Sequence, residues 1–455
     1  MAARMSNKIA AIVLAAGKGT RMKSDLHKVL HPIAGRPMLL HLMASVDELS
    51  PAKKVVVVGD KADQLEAALA GSADLAVQEP QLGTGHAVQQ AEAALAGFDG
   101  DVLILYGDVP FVPAATMQAM IDRLNAEDAP AVVVLGFEPW DGLQYGRVIS
   151  WDDGTITKMV EYKDATQVER DFRVCNSGLM AVRAKDLFAL LARVTNENAA
   201  GEYYLVDIVN LAIADKRRCV VIKTDPYDVA GINSRGELAS MEADWQALRR
   251  RDAMADGVTL IAPDTVWFAW DTELGRDVTI EPNVFFGPGA KIADNVKIRA
   301  NCHIEGAIVG TGCEVGPFAR LRPGTILGEK AKIGNFVETK KAVLGKGAKA
   351  NHLTYLGDVT VGAGANIGAG TITCNYDGYF KYKTEIGENA FIGSNSALIA
   401  PVRIGRDAIV AAGSAVTLDV ADGELRLVRA EQLVKPGWAD RFHDAMRKKK
   451  AAEKK

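Results

Sequence analysis

Two periods divide the chain. Up to about residue 233, short apolar runs rich in β-branched residues (9–14, 54–58, 102–106, 131–137) alternate with stretches of helical period (64–70, 87–96, 114–124). Strands alternating with helices predict an α/β domain with a largely parallel, doubly wound sheet, which binds ligands at the carboxyl ends of its strands. Residues 234–256 predict one helix, with Leu238, Met241, Trp245 and Leu248 at helical spacing as its packing face. From about 258 the period becomes six. Ile280, Phe286, Ile292, Ile298 and Ile304 recur, then after a one-residue slip Val309, Val315, Leu321, Leu327 and Ile333. Val361 and Ile367 follow, then Ile386, Ile392, Leu398, Ile404, Val410 and Val416. Hexapeptide repetition predicts a parallel β-helix, in which each unit forms one flat face with its aliphatic side chain inward. The register breaks over 340–357 and 374–383, which predicts two loops projecting from the coil. The organisation expected is therefore a domain at 1–233, a helical linker at 234–257 and a β-helix with its tail at 258–455. The basic run Arg447–Lys455 reads as a solvated end.

Composition narrows the partners. A chain of 455 residues suits two or three domains. Fifty-three Lys and Arg against 57 Asp and Glu give a net charge of −4, which argues against nucleic-acid binding as its main role. The 43 glycines fit the corners of the repeat. The apolar run 9–16 is too short for a membrane span and leads into Gly17-Lys18-Gly19, not into a cleavage site, so a cytoplasmic protein is expected. Five cysteines without a CxxC favour neither a disulfide framework nor a zinc site. His27 and His31 lack a third ligand and do not suggest a metal centre.

Chemistry enters at Leu14-Ala15-Ala16-Gly17-Lys18-Gly19-Thr20-Arg21-Met22, directly after the first apolar run. Small residues there let backbone N–H groups approach a base and phosphates, and Lys18, Arg21 and Lys28 supply charge for a triphosphate. A GxG turn alone occurs in many tight βα connections. The full string is more specific and resembles the signature of sugar-1-phosphate nucleotidyltransferases. Gln78, Gly83-Thr84-Gly85-His86, Tyr106-Gly107-Asp108, Tyr145-Gly146-Arg147, Glu161, Asn176, Gly201-Glu202-Tyr203-Tyr204 and Gly231-Ile232-Asn233 follow that family's order. With the repeats and the segment Lys340 to Tyr355, the match spans nearly the whole chain. It resembles the bacterial family of bifunctional N-acetylglucosamine-1-phosphate uridyltransferases and glucosamine-1-phosphate acetyltransferases. The fold this implies is a Rossmann-like nucleotidyltransferase domain followed by a left-handed parallel β-helix.

The resemblance implies two reactions of UDP-N-acetylglucosamine biosynthesis in the cytoplasm. The β-helix would move acetyl from acetyl-CoA to glucosamine 1-phosphate. The first domain would join UTP to N-acetylglucosamine 1-phosphate and release pyrophosphate. Carried over residue by residue, Leu14, Ala15, Ala16, Gly17, Lys28, Gln78, Gly83, Thr84, Tyr106, Gly107 and Asp108 would hold the nucleotide. Gly146, Glu161 and Asn176 would hold the amino sugar, and Asp108 with Asn233 would hold Mg2+. By itself, a strand-end aspartate suits a helix cap as well as a metal. Arg322, Lys340, Tyr355 and Asn366 would bind glucosamine 1-phosphate. Ala369, Asn375, Tyr376, Ser394, Ala412 and Arg429 would bind acetyl-CoA. His352 would be the base. Chemistry points the same way, because a glucosamine amine must lose a proton and histidine titrates near neutrality. Of the two histidines in the repeats, His303 sits beside inward Ile304 in an unbroken coil, whereas His352 falls in the predicted break. Family β-helices associate as homotrimers that share each acetyl site.

Two alternatives remain open at this point. The β-helix could be a regulatory or trimerising scaffold on a monofunctional nucleotidyltransferase, as in ADP-glucose pyrophosphorylase. The whole chain could be a binding protein, like the nucleotidyltransferase-like subunits of translation factors. The His352, Lys340 and Asn375 set weighs against the first, and the intact glycine-rich string with Asp108 weighs against the second.

Overall fold

A computed structural model describes residues 8–139 and 145–453. The chain forms two compact units, Met1–Ala247 and Leu248–Lys455. In the first, β1 (Ile9–Ala15), β2 (Lys53–Val58), β3 (Asp74–Val77), β4 (Asp101–Tyr106) and β5 (Val132–Phe137) alternate with helices. A hairpin, β6 (Arg147–Ser150) and β7 (Ile156–Val160), precedes β8 (Cys175–Arg183) and β9 (Cys219–Lys223). The sheet runs β9-β5-β8-β4-β1-β2-β3, with β8 antiparallel between two otherwise parallel halves. Alternate residues of β1 feed opposite faces. Ala10, Ile12 and Leu14 join one core layer, and Ala11, Val13 and Ala15 join the other. Each fully buried Val, Leu or Ile of these layers contributes roughly 1.5–3 kcal/mol relative to an exposed one.

The helix predicted over 87–96 begins earlier, at Thr84, and ends at Gln89. Beyond it the bonds shorten to i→i+3, from Gln90 to Ala87 and Ala91 to Val88, as Ala91 and Leu95 turn into the core. The last helix of this unit, Arg235–Ala255, continues into the second.

The second unit is a left-handed parallel β-helix. Its flat faces repeat one coil apart, as in Thr279 against Lys297, an interval of 297 − 279 = 18 residues, or three hexads. Inward Ile280, Ile298, Val315 and Ile333 form one buried stack. The corners use the left-handed region, taken by Asn283, Asn301 and Gly370 on one edge.

The break predicted over 340–357 is overturned. Glu338–Leu344 and Tyr355–Val361 pair in parallel and in register on both sides of a corner at Lys341 and Asp358, and the coil stays closed. The aliphatic series only seemed to stop because Thr339 and Ala350 take inward positions. The Thr339 hydroxyl is satisfied within the coil by Thr325 Oγ1 at 2.9 Å, which removes the penalty of burying it. His352 therefore lies on a closed corner and not in an opening. The second predicted break is a genuine excursion. The ladder jumps from Asn366 to Phe391, 25 residues on, and the surplus leaves the coil at residues 375–383.

The tail also differs from a loose end. Trp438–Ala452 is a helix exposed along its length, favoured by its Ala, Lys and Arg content. Lys454 and Lys455 of the predicted basic end lie outside the described residues. All five cysteines are free thiols, with four buried and Cys374 half-buried.

Candidate active sites

In the first unit, Leu14, Ala15, Ala16, Gly17, Lys28, Gln78, Gly83, Thr84, Tyr106 and Asp108 line one cleft of about 350 Å³. It opens at the carboxyl ends of β1 and β4, where the topology places it. The neighbouring Gly107 N–H donates to the Leu14 carbonyl at 2.9 Å and ties the two strand ends together. Gln78 Nε2 donates to the Gly83 carbonyl at 3.0 Å. Gly83 has φ +114°, and a Cβ there would lie 2.6 Å from the Tyr203 carbonyl, so only glycine fits. Thr84 Oγ1 accepts from the Leu205 N–H at 3.0 Å.

The backbone of Asp108 brings in a residue far along the chain. Its carbonyl accepts from the Ile232 N–H at 3.0 Å, which sets Asn233 beside it. The Lys28 ammonium bonds to Asp108 Oδ2 and, at 3.1 Å, to Asn233 Oδ1. Two oxygens thus converge on one cation. Among the described residues no group of three or more His, Cys, Asp or Glu is arranged for a metal. A carboxylate and an amide oxygen, completed by phosphate and water, nevertheless suit Mg2+.

Gly146, Glu161 and Asn176 form a neighbouring group. The Asn176 N–H donates to the Gly146 carbonyl at 2.9 Å, and a Cβ on Gly146 would lie 3.2 Å from Glu161 Oε2. Burial raises the Glu161 carboxyl above the usual range, and Asp164, Asp207 and Glu202 add repulsion. Tyr106 connects this group to the cleft. Its ring closes on Gly178, where a Cβ would come within 2.6 Å. Burial, then Glu161 and Asp108, push its phenol up, so it stays protonated.

In the β-helix the expected residues fall on two corners that flank one narrow face. On the first corner, His352, Ala369 and Ser394 stack one coil apart. Their carbonyls accept from Gly370, Asn395 and Gly413 at 3.3, 2.7 and 2.8 Å. Ala412 is the next step, and Arg429 donates to its carbonyl at 2.9 Å. On the second corner lie Arg322, Lys340 and Asn375. Lys340 is held below the usual lysine range, first by Lys381 and then by Arg322. Tyr355 lies on the face between the corners, paired with Glu338, and Asn366 lies on the adjoining face beside Lys349. Asn375 is buried and donates to Asp358 at 2.6 Å, while Tyr376 is exposed and bonds within its own loop. Within one chain, Asn375 and Tyr376 therefore stand apart from the Ala369, Ser394 and Ala412 column.

His352 is exposed, and its Nδ1 lies 2.7 Å from Asn335 Oδ1. An amide oxygen only accepts, so Nδ1 carries a proton, and in the neutral ring Nε2 is left as an acceptor. His303 instead stacks on Phe285 with ring centroids 4.9 Å apart.

A bifunctional protein GlmU from Sphingopyxis alaskensis is 82% identical over 451 residues, covering 99% of this chain and 100% of its own. The chain belongs to the bifunctional GlmU family. GlmU proteins of Novosphingobium aromaticivorans and Zymomonas mobilis are 75% and 56% identical, over 99% and 96% of this chain and 100% and 98% of their own. Family models agree with the division seen in this GlmU-family chain. A MobA-like NTP transferase domain matches residues 11–200, a GMPPB C-terminal domain 257–349, and the hexapeptide repeat of succinyl-transferase 383–417. No described helix is long and apolar enough to cross a membrane.

Sequence reasoning missed several residues of the GlmU-family sites. Gln81 lines the cleft of the first unit and donates to the Ala16 carbonyl; Glu202, quoted only within a motif, and His27, weighed only as a metal ligand, also line it. Lys381 joins the cation corner from the excursion, and Asn335 orients His352. Polar residues in turns carry no periodic signal. Only the placement of Lys381 inside the predicted break could have drawn attention to it.

Proposed function

We propose that the chain carries out both transfers of the bifunctional GlmU family, each within its own unit. The β-helix acetylates glucosamine 1-phosphate with acetyl-CoA. The α/β unit then joins UTP to N-acetylglucosamine 1-phosphate, giving UDP-N-acetylglucosamine and pyrophosphate. The alternative of a purely structural β-helix is disfavoured by a histidine oriented by Asn335 on the corner next to the one that gathers Arg322, Lys340 and Lys381. That arrangement is the observation that carries the acetyl transfer.

In the α/β unit, Gln78, Gly83 and Thr84 hold the base and ribose at the end of β1, and Gly146, Glu161 and Asn176 hold the sugar. A Cβ on Gly17 would touch nothing within 4 Å, so the chain's own packing does not demand glycine there. Close approach of the triphosphate does. The sugar phosphate oxygen attacks the α-phosphorus in line, so positioning and charge matter more than any protein nucleophile. Asp108 and Asn233 hold Mg2+, which when bound offsets the charge developing on the phosphates. Lys18, Arg21 and Lys28 offset the remainder.

In the β-helix, glucosamine 1-phosphate lies across the face carrying Tyr355. Its phosphate meets Arg322, Lys340 and Lys381, and its amine points toward His352. Nε2 of His352 takes the amine proton as nitrogen attacks the thioester carbonyl, the C–S bond then breaks, and CoA leaves as the thiol with that proton, while Asn335 keeps Nδ1 protonated. The CoA arm follows the corner of Ala369, Ser394 and Ala412 toward Arg429. Asn375 and Tyr376 reach the cofactor from another copy in a homotrimer, which accounts for their distance from that corner within one chain. The substrates suit the cytoplasm.

Mass spectrometry of a mixture of glucosamine 1-phosphate, acetyl-CoA, UTP and Mg2+ tests both steps together. UDP-N-acetylglucosamine is the expected product. Accumulated N-acetylglucosamine 1-phosphate alone would remove the uridylyl transfer. No acetylated species, together with turnover of added N-acetylglucosamine 1-phosphate, would leave a monofunctional nucleotidyltransferase.

A further inference from the structure

The point where Asp108 and Asn233 converge is already occupied by a side chain. Lys28 Nζ bonds both, and its side chain and that of Asp108 are only 13% and 18% exposed. So shielded a pair is not exchanged freely with water and salt. Among the described residues, this is the only ion pair of Asp108.

The backbone of Lys28 is fixed. It opens a short 3-10 turn, Lys28–Leu30, capped by the His27 side chain, and His27 N–H donates to Gln64 Oε1 at 2.8 Å. Only the four-carbon stem can move. The glycine-rich turn rests on that stem: Gly19 has φ +60°, and a Cβ there would lie 2.7 Å from Lys28 Cβ. The turn that would cradle phosphates is thus packed against the lysine that holds the carboxylate. An ammonium and a divalent cation cannot share two oxygens at contact distance, because like charges repel most strongly where water is excluded.

We propose that Lys28 is a built-in counter-ion that holds the cation seat of the nucleotide-free protein and leaves it for the triphosphate. This inference rests on the proposed assignment of Asp108 and Asn233 to Mg2+. A nucleoside triphosphate draws the ammonium onto its own oxygens, and the seat then accepts the divalent ion. The protein alone therefore binds a divalent cation poorly, and Lys28 makes nucleotide and metal binding depend on one another beyond the contact between metal and phosphate. By linkage the dependence is reciprocal.

The test is Mn2+ binding to the full chain without nucleotide, followed by electron paramagnetic resonance of the free ion. Lys28→Met should bind one Mn2+ about tenfold or more tightly than the wild type, because it leaves the Asp108 carboxylate without a partner. Lys18→Met, which removes a charge from the glycine-rich turn but not from the seat, should shift affinity far less. Mn2+ should also raise the melting temperature of Lys28→Met more than that of the wild type. Equal Mn2+ affinity in wild type and Lys28→Met, abolished in both by Asp108→Asn, would overturn the role of Lys28 and leave the metal assignment standing. Mn2+ binding indifferent to Asp108→Asn would overturn the metal assignment and this inference with it. Should Lys28→Met fail to fold, the wild type decides: Asp108-dependent Mn2+ binding as tight without nucleotide as with a non-hydrolysable UTP analogue would overturn the proposal.

Discussion

The two units build their candidate sites by opposite means. In the α/β unit the cleft draws on Leu14, Lys28, Gln78, Tyr106 and Asp108, and Asn233 arrives from the far end of the domain. No interval relates them. What unites them is the edge of one sheet, where strand ends and irregular turns converge. In the β-helix the corner residues follow one another at close to one coil, and position along the chain is nearly position in space. A site on a sheet edge is set by global topology, whereas a site on a solenoid is set by local register. Errors therefore act differently in the two. A shifted loop in the first displaces one residue. A slipped coil in the second carries every residue beyond it.

The sharpest break of this comparison is reciprocal loss. His352→Ala should lower acetyl transfer by about 10²–10⁴-fold, the usual cost of losing a general base, and leave uridylyl transfer unchanged. Thiol release and pyrophosphate release, measured on the same sample, report both. Asp108→Asn should do the converse, with a loss of roughly 10³-fold or a few kcal/mol in uridylyl transfer at limiting Mg2+. If either substitution lowered both rates alike, the independence of the two sites would be lost.

Core substitutions sharpen the contrast in stability. Ile304→Ala and Leu103→Ala, both fully buried, should each cost about 2–5 kcal/mol. Hydrogen exchange should differ in pattern. The solenoid should lose protection mainly in neighbouring coils, and the sheet unit should lose it throughout. Uniform loss in the β-helix would contradict its one-dimensional character.

A smaller effect follows from Glu161, whose carboxyl is raised by burial and by Asp164, Asp207 and Glu202. Below the ordinary carboxyl value of 4.5 it is protonated whether folded or not, and Glu161→Gln should change little. As pH rises past that value, the unfolded chain ionises first and the native state becomes relatively less stable. Glu161→Gln should therefore melt higher than wild type at pH 7 and alike at pH 4, while binding the sugar less well. An equal melting temperature at pH 7 would mean that the cluster is solvated. The smallest change expected is from removing the first unit. Residues 258–455 alone should still form a trimer by light scattering and acetylate at close to the full-chain rate, since each coil is stabilised by its neighbours.

Much of this was legible in the chain because both regular patterns are strong. The runs at 9–14 and 102–106 fall within one residue of β1 and β4, since full burial requires unbroken apolar stretches. The β-helix register was legible from aliphatic residues but misjudged where Thr339 and Ala350 point inward, because a hydroxyl paired inside a coil looks polar in one dimension. His352 was singled out by the family resemblance and by the need for a base, but also by a break that does not exist. Its actual distinction is the bond to Asn335 on a corner, which no spacing discloses. Asn233 beside Asp108 depends on a backbone bond from Ile232, and nothing local predicts it.

The corner column works as a ruler. From His352 through Ala369 and Ser394 to Ala412 there are three steps, and neighbouring parallel strands lie about 4.8 Å apart, so the column measures roughly 14 Å. Such a length can change only by whole graduations. Even the 25-residue interval between Asn366 and Phe391 leaves the spacing intact, because the extra chain is expelled sideways. In the proposed acetyl transfer, the span from the Ala412 end to His352 would therefore be set by a count of coils, and inserting or deleting one coil would move the two ends apart or together by a full graduation.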